Sequence, residues 1–205
     1  MVRNGLLHRI KVGIGTFYKQ YIANLDRKKY GFIAEDVKLL PPIIVSHPEN
    51  VFLYSDTVLN RAIIFADSAK FIMKPHSLTA EGLRVSTGNH AMIIGRFCTS
   101  IKQEEKPVTN IQDVIVESDV WIGRNVTLLP GVHIGRGCTI GAGAVVNKST
   151  PPYCLVAGVP ARPIKFKWTI DEILRHEEQL YPVDERFSRE ILEEIFANAP
   201  LKNKG

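Results

Sequence analysis

A six-residue apolar repeat constrains the fold of this chain more than any other feature of its sequence. From Val114 onward, apolar residues occupy two rows that recur every six positions, and one row lies two residues before the other. The rows are Val114, Val120, Val126, Val132, Cys138 and Ala144, and Val116, Ile122, Leu128, Ile134, Ile140 and Val146. A spacing of two places both rows on one face of a short strand, whereas a period of six would drift around a helix of about 3.6 residues per turn. The repeat therefore predicts a stack of short β-strands.

Residues that tolerate a left-handed backbone follow each apolar pair at a constant distance. Three residues after the second member of each pair come Asp119, Asn125, Gly131, Gly137 and Gly143. Such residues turn the chain sharply between two-residue strands. We therefore expect a mainly β solenoid in which each coil buries its apolar pair against the coils above and below.

The first half of the chain repeats less regularly. Apolar residues lie six apart at Leu53, Leu59, Phe65 and Phe71, with partners two residues earlier at Val51, Thr57, Ile63 and Ala69. Slips interrupt the period before Val51 and after Ser77, and residues 91–113 break it altogether. Residues 37–164 are thus predicted to form the solenoid, with 91–113 as an extruded loop of the kind that often carries function.

The flanking segments are predicted to be helical. Residues 1–36 form an N-terminal segment in which an amphipathic pattern over 16–29 indicates a short helix. In the C-terminal segment, 165–205, Thr169 and Glu172 have the spacing of a capping box that opens a helix toward Tyr181. Ser188 is placed to cap a second helix that runs through Phe196.

Charge and cysteine content narrow the classes of partner and compartment. The 205 residues include 26 Lys and Arg against 21 Asp and Glu, a net charge of +5. A basic chain of this kind suits nucleic acid, an anionic membrane or a phosphorylated ligand as its partner. The bases form no long run and do not alternate with aromatic residues, so nucleic-acid binding is not expected. Residues 1–36 hold seven bases and three acids, a net of +4 whose role the sequence does not explain.

No membrane span and no export signal are expected. The chain contains no run of 18 apolar residues, and its basic N-terminus lacks the apolar stretch and cleavage site of a signal peptide. Its three cysteines, Cys98, Cys138 and Cys154, form no CxxC pair, and their odd number argues against a disulfide framework. The sequence therefore predicts reduced thiols and a cytoplasmic protein.

The hexads of residues 114–164 resemble those of the hexapeptide-repeat transferases. That resemblance implies a left-handed parallel β-helix with three hexads per coil, and a homotrimer whose active sites lie between subunits. The segment VSTGNH at 85–90, the loop after it and DVWIG at 119–123 resemble the xenobiotic and sugar O-acetyltransferase branch. With IIGRF in the loop and a helical tail after GVPARPIKF, the pattern looks closest to acetyltransferases of polysaccharide biosynthesis.

His90 is the candidate catalytic residue. It ends VSTGNH at the mouth of the extruded loop, whereas His133 lies between the two inward rows and is expected on the surface. The resemblance implies that His90 is the general base, which removes the proton of an acceptor hydroxyl as its oxygen attacks the thioester of acetyl-CoA. A cysteine nucleophile is the mechanistic rival, but no cysteine has a base at a recognisable spacing.

A second candidate site is a corner built from small residues. Arg124, Ala142 and Pro160 are spaced three hexads apart, which places them in line on successive coils, and small residues there let a ligand approach the backbone. Nearby bases are suited to the phosphates of coenzyme A. Together with the resemblance, this assigns the acetyl-CoA site to Gly123, Arg124, Ala142, Asn147, Lys148, Arg162 and Lys165.

The acceptor is the least determined part of the site. Candidate acceptor-binding residues are Lys74, His76, Asn89 and Trp121, and Trp121 is equally suited to burial between subunits. A sugar hydroxyl is favoured over an antibiotic hydroxyl, and O-acetylation over N-acetylation. A γ-class carbonic anhydrase needs three histidines on one zinc, and their spacing is missing here, so no metal site is expected. A non-catalytic scaffold remains the alternative from another class.

Overall fold

Three sheets, parallel except for the last strand of one of them, wrap around one core in the computed structural model, which describes residues 5–67 and 69–201. Sheet A contains β1 (Phe32–Ile33), β4 (Val51–Leu53), β7 (Phe71–Met73), β10 (Val114–Val116) and β13 (His133–Ile134). Sheet B contains β2 (Lys38–Leu40), β5 (Val58–Asn60), β8 (Leu78–Thr79), β11 (Trp121–Ile122), β14 (Thr139–Ile140), β16 (Cys154–Gly158) and β17 (Ala161–Phe166). Sheet C contains β3 (Ile44–Ser46), β6 (Ile63–Phe65), β9 (Arg84–Ser86), β12 (Thr127–Leu128) and β15 (Val145–Val146). The chain visits the sheets in turn over about six coils, which confirms the predicted left-handed parallel β-helix.

The two apolar rows form the interior of the C-terminal coils. None of their twelve members is more than 1% exposed, and burial of such side chains is the main favourable term in folding. All five predicted corner residues have a positive φ, between 53° at Asn125 and 78° at Gly131. Both halves of the hexad pattern, inward pair and left-handed corner, are therefore confirmed for residues 114–146.

The period of three hexads per coil is wrong for the N-terminal coils. Ile122 pairs with Ile140 and Leu128 with Val146, as that period requires, whereas Leu53 pairs with Met73, two positions further along than three hexads would reach. The additional residues lie at one corner, where the chain passes from sheet C to sheet A. There Pro48–Asn50 forms a 3-10 turn between β3 and β4, and residues 66–70 separate β6 from β7. The same corner holds the extruded loop between β9 and β10.

The predicted inward positions around Phe65 are also wrong. Ala62 and Ile64 are fully buried, while Phe65 is 49% exposed and Ile63 is only partly buried. The spacing from Leu59 to the next inward residue of its row is thus one shorter than a hexad. Stacking on neighbouring coils sets which of these side chains points inward, because Ile64 pairs with Val45 below and Val85 above.

The N-terminal helix lies earlier in the chain than predicted. Helix α1 spans Leu6–Tyr21, and the predicted second half of the 16–29 helix is replaced by 3-10 turns at Ala23–Leu25 and Arg27–Lys29. The Asn24 amide donates to the Ile43 carbonyl at 2.8 Å, and the Tyr30 hydroxyl donates to the Asn24 carbonyl at 2.7 Å. These bonds bind the chain to the first coil at the cost of a continuous helix.

Both C-terminal helices are confirmed. Helix α2 spans Ile170–Leu180 and opens with the Thr169–Glu172 capping box, and α3 spans Arg189–Asn198 with Ser188 as its N-cap. They pack on the last coil around a small apolar cluster formed by Tyr153, Ile173 and Leu192. Within residues 5–67 and 69–201, no helix has the length and apolar character needed to cross a membrane.

Candidate active site

His90 lies where the chain leaves sheet C and enters the extruded loop. An antiparallel bridge between Gly88 and Ile111 closes the base of this loop. Asn110, in a 3-10 turn where the loop returns, holds the backbone of the loop mouth, because its side-chain amide donates to the His90 carbonyl at 3.0 Å and its carbonyl accepts from the Asn89 N–H at 2.9 Å. The sequence placement of His90 at the loop mouth therefore corresponds to a defined backbone position.

A polar cavity of about 230 Å³ opens beside His90. Its lining residues are Asp67, Gly88, Asn89, His90, Gln103, Lys106 and Ile111. The Ser46 hydroxyl donates to the Asp67 carboxylate at 2.6 Å, which orients that group one coil before His90. In the described part of the chain, no side chain hydrogen-bonds the His90 imidazole. The ring is therefore available for proton exchange with a group in the cavity.

The predicted coenzyme corner consists of closely stacked backbone. The Gly123 N–H donates to the Ile140 carbonyl at 2.8 Å, and the Gly143 N–H donates to the Arg124 carbonyl at 2.7 Å. A Cβ at Gly123 would lie 2.7 Å from the Ala142 backbone nitrogen, so the stacking requires glycine there. Gly123, Arg124 and Ala142 thus lie together on one edge of the solenoid, at the corner between sheets B and C.

Pro160 does not continue this line, contrary to the prediction from three-hexad spacing. Ile140 pairs with Val156, two positions short of three hexads, so Ala157 stacks on Gly141. Pro160 instead lies in the turn between the antiparallel strands β16 and β17. The coil ends here because β17 runs back along β16 and does not begin another turn of the helix.

The structure brings Arg162 and Asn147 together. An Arg162 guanidinium nitrogen, Nη1, donates to Asn147 Oδ1 at 3.3 Å, and Lys148 follows Asn147 on the exposed surface. Lys165 is exposed further along β17, where it pairs with Leu155. Arg124 is placed differently, because its Nε lies 3.4 Å from the Glu81 carboxylate. Three of the four predicted bases therefore lie beyond Ala142, toward the C-terminal end of the solenoid.

His90 and the coenzyme corner lie at opposite edges of sheet C within one chain. His90 follows β9, where a strand of this sheet ends, whereas Gly123 and Ala142 precede β12 and β15, where strands of this sheet begin. A strand of three residues spans about 10 Å. One chain therefore presents the two groups at either side of the same face.

Only one of the four predicted acceptor residues shares the cavity of His90, namely Asn89. The Lys74 ammonium pairs with the Glu117 carboxylate at 2.9 Å, and His76 Nδ1 lies 3.0 Å from Asp56 Oδ2. Both follow a strand of sheet A and are placed at the corner between sheets A and B. Trp121 is 54% exposed on sheet B, where it stands between Leu78 and Thr139.

The buried thiols are unsuited to covalent catalysis. Cys138 and Cys154 are fully buried, and Cys154 lies in strand β16. Burial raises the pKa of the Cys138 thiol above its ordinary value and raises the pKa of Cys154 to about 12. Both thiols therefore stay protonated at neutral pH. Cys98 is exposed in the extruded loop.

Comparison with known proteins adds to this geometry. The profile of the family described as "Bacterial transferase hexapeptide (six repeats)" matches residues 113–148. A putative acetyltransferase of Schizosaccharomyces pombe is 31% identical over 125 residues, which are 61% of this chain and 57% of that protein. The galactoside O-acetyltransferase of Escherichia coli K12 is 27% identical over 142 residues, 69% of this chain and 66% of that protein.

A solved structure agrees with these matches. The hexapeptide-repeat acetyltransferase of Vibrio cholerae, crystallised with acetyl coenzyme A, superposes with a TM-score of 0.61 at 26% identity and covers 78% of this chain and 87% of that one. Residues 113–148 therefore carry the bacterial transferase hexapeptide repeat, and the chain is similar to acetyltransferases built on that repeat. Against the first relative named above, it spans little more than half the length of that protein.

Several residues beside His90 were not predicted from the sequence of this hexapeptide-repeat protein. Asp67 lies in the additional residues of the sheet C to sheet A corner, a region that the hexad pattern assigned to the wrong register. Lys106 and Gln103 lie in the extruded loop, which has no periodicity to place its side chains. In the sequence, the irregular spacing between Ile64 and Phe71 indicates that additional residues, Asp67 among them, lie at this corner. Among the described residues, no group of three or more His, Cys, Asp or Glu is arranged to hold a metal ion.

Proposed function

We propose that this protein transfers the acetyl group of acetyl-CoA to a hydroxyl of a sugar or polysaccharide precursor, with His90 as general base. The observation that carries the proposal is the His90 imidazole, which lines a polar cavity at the loop mouth and has no hydrogen-bond partner in the described part of the chain. A base needs a free lone pair and access to its substrate. His90 meets both requirements.

The chemistry assigned to His90 is proton transfer. As the acceptor oxygen attacks the thioester carbonyl, the imidazole takes the hydroxyl proton, so that no free alkoxide forms. The carbon–oxygen bond then replaces the carbon–sulfur bond, and the imidazolium returns the proton to the departing thiolate. The products are an acetyl ester and coenzyme A, and His90 is again neutral.

The corner of Gly123, Arg124 and Ala142 is assigned to the coenzyme arm. Its small residues, Gly123 and the exposed Ala142, let a narrow, extended ligand approach the backbone closely. Arg162, Lys148 and Lys165, together with the Asn147 amide, follow on the C-terminal side and are assigned to the phosphates. This assignment puts three of the four predicted bases at one end of the arm, with Arg124 beside the arm itself.

The protein is proposed to act as a homotrimer. A single chain holds the two halves of the site on opposite edges of sheet C, so a second chain is needed to face His90 with a coenzyme corner. The extruded loop also exposes a strongly apolar set, formed by Met92, Ile94, Phe97 and Val108. Exposed apolar groups on one element are typical of an interface. Trp121 and the half-buried Val145 extend such a surface on neighbouring sheets.

The acceptor assignment follows from the polarity of the cavity. Asp67 offers a carboxylate, Asn89 offers an amide, and Lys106 offers an ammonium beside His90, a donor and acceptor set that suits several hydroxyls at once. The relative from Escherichia coli is named for a galactoside. A polyhydroxylated acceptor is therefore favoured over a largely apolar xenobiotic. Free cysteines are in keeping with a cytoplasmic location.

His90→Ala tests this function, with His133→Ala as the matched control. His133 is also an exposed histidine, but its Nε2 lies 2.7 Å from the Glu117 carboxylate on sheet A. In a thiol-release assay with acetyl-CoA and a panel of sugars, His90→Ala is expected to lower kcat by a factor of about 10² to 10⁴. Binding of coenzyme A, followed by calorimetry, should stay unchanged in both variants.

The assay separates the alternatives. Turnover by His90→Ala close to that of His133→Ala would contradict the role of His90. Turnover with antibiotic hydroxyls and none with sugars would assign the xenobiotic function. Coenzyme binding without turnover on any acceptor, in the native protein, would favour the non-catalytic scaffold.

A further inference from the structure

Helix α1 leaves an apolar face uncovered. Ile10, Ile14, Phe17 and Tyr21 are all exposed, and at about 100° per residue they fall within roughly 60° of the helix circumference. The Phe17 and Tyr21 rings stack with their centroids 4.9 Å apart, which makes this stripe continuous. We call these four residues the α1 stripe.

The rest of α1 is basic and contains no acidic residue. Arg9, Lys11 and Lys19 lie outside the α1 stripe, and the first acidic residue of the whole sequence is Asp26. The helix therefore combines an apolar face with a remainder whose charged residues, Arg9, Lys11 and Lys19, are all positive. It also accounts for much of the net charge of +4 that residues 1–36 carry, which neither the coenzyme corner nor His90 explains.

The C-terminal end of α1 is attached to the solenoid. The Ile43 N–H donates to the Gln20 carbonyl at 3.1 Å, and the turn after the helix is held through Asn24. Residues 8–19 are exposed throughout. The helix is thus joined to the first coil through its C-terminal end, and from residue 8 to residue 19 no described part of the chain covers the α1 stripe.

We propose that α1 lies in the interface of an anionic phospholipid membrane, with the α1 stripe in the acyl boundary and Arg9, Lys11 and Lys19 among the headgroups. Helices with an apolar face and a basic polar face bind such surfaces through both contributions. Charge favours this partner over a second copy of α1, since two such helices would bring like charges together with no acid to offset them. The proposal is independent of the acetyl transfer.

Vesicle co-sedimentation of the full-length protein tests the proposal. Vesicles of phosphatidylcholine alone are compared with vesicles that contain about a third phosphatidylglycerol, each at low and high salt. Binding is expected to the anionic vesicles, weaker at high salt and at least tenfold weaker to the neutral ones. Each base replaced by glutamine should weaken binding about fivefold, which corresponds to about 1 kcal/mol.

Two substitutions on α1 supply the matched comparison. Ile14→Asn alters the α1 stripe, whereas Val12→Asn alters an exposed apolar residue on the opposite, basic side of the same helix. Ile14→Asn should lower vesicle affinity about tenfold, and Val12→Asn should leave it within about twofold. Both side chains are exposed, so neither change should shift the thermal midpoint of the solenoid, which serves as the folding check.

Three results would overturn the proposal. One is equal binding to neutral and anionic vesicles, and another is equal loss in the two variants. The third is a drop in oligomeric state for Ile14→Asn alone, measured by sedimentation equilibrium without lipid, since the α1 stripe would then be covered by another copy of the chain.

Discussion

The Tyr153 hydroxyl donates a hydrogen bond to the Glu177 carboxylate, and both side chains are fully buried. Tyr153 belongs to the last coil of the solenoid, and Glu177 belongs to α2. The Arg136 guanidinium lies 2.9 Å from the other carboxylate oxygen and stacks over the Tyr181 ring. Hydrogen-bond and ion-pair partners of this kind offset the hydration that a carboxylate loses on burial. The contact therefore joins the C-terminal helices to the β-helix.

Tyr153→Phe is expected to destabilise the protein by about 1–3 kcal/mol, because the variant removes one donor from a buried carboxylate and keeps the ring. Urea unfolding followed by circular dichroism measures the difference. Tyr18→Phe is the control, since Tyr18 is exposed on α1. If the two variants have the same unfolding midpoint, the Tyr153–Glu177 contact contributes nothing to docking of α2.

Stability should fall as the pH rises above about 10. Burial raises the pKa of Tyr30 from its usual 10.0 to about 12, and the pKa of Tyr153 is raised further by burial and by the neighbouring Glu177. Above pH 10, the unfolded chain loses these protons while the folded chain retains them, so unfolding becomes more favourable. Below that pH, the two states hold the same protons on these groups, and their effect vanishes.

Urea midpoints measured from about pH 9 to about pH 11 check the sign of this dependence. Tyr30→Phe should give a shallower decline than the native protein, by about 1.4 kcal/mol per pH unit above the unfolded pKa. Its absolute stability at neutral pH is also lower, because the hydrogen bond to the Asn24 carbonyl is lost. Parallel pH profiles for the two proteins would refute the raised pKa of Tyr30.

Gly123→Ala should disturb both the fold and the coenzyme corner. The added Cβ would lie 2.7 Å from the Ala142 nitrogen and 2.8 Å from the Ile140 carbonyl oxygen, and both are backbone atoms that cannot rotate away. A cost of about 1–3 kcal/mol is expected. Because the corner is assigned to acetyl-CoA, KM for the coenzyme should rise several-fold with a smaller effect on kcat.

Gly13→Ala is the comparison for that variant. Nothing lies within 4 Å of a Cβ at this position in α1, so stability should be unchanged or slightly increased by the better helix propensity of alanine. The urea midpoint of unfolding and the KM for acetyl-CoA are measured for both variants. If Gly123→Ala is destabilised but keeps the native KM for acetyl-CoA, the corner does not bind the coenzyme.

Arg162→Gln should weaken coenzyme binding about tenfold, the usual effect of losing one contact to a charged group. Titration calorimetry with coenzyme A measures the dissociation constant. The difference between variant and native protein should shrink at high salt, because ions screen the exposed phosphates. Lys38→Gln on β2 is the control, because it removes one positive charge far from this corner. If Lys38→Gln weakens coenzyme binding as much as Arg162→Gln does, the effect comes from net charge and not from a contact of Arg162.

Local periodicity made the C-terminal half of the solenoid predictable. A pair such as Val120 and Ile122 needs only strand geometry to point inward, and Asn125 needs only its tolerance of positive φ to turn the chain. The capping residues Thr169 and Ser188 hydrogen-bond to backbone groups within three positions in the sequence, so the starts of both C-terminal helices could also be predicted. These features depend on neighbours in sequence.

The N-terminal coils were less predictable because their corners vary in length. The hexad count placed Phe65 inward, but stacking of Ile64 between Val45 and Val85 shifted the register by one residue. The helix expected over 16–29 was similarly replaced by turns, since Asn24 bonds to the first coil. In both cases, a contact between distant residues outweighed a local preference.

The sequence by itself determined the β-helix, the left-handed corners, the C-terminal helices and the place of His90 at the mouth of a loop. Only the tertiary structure decided which residues surround His90, because Asp67 and Lys106 reach it from another coil and from an aperiodic loop. It likewise separated Lys74 and His76 from that cavity and joined Arg162 to Asn147. Periodicity in the sequence specifies whether a side chain points inward or outward, but the stacking of coils specifies which side chains lie next to one another. The candidate site consists of residues from different coils and from the loop, so only the tertiary structure could define it.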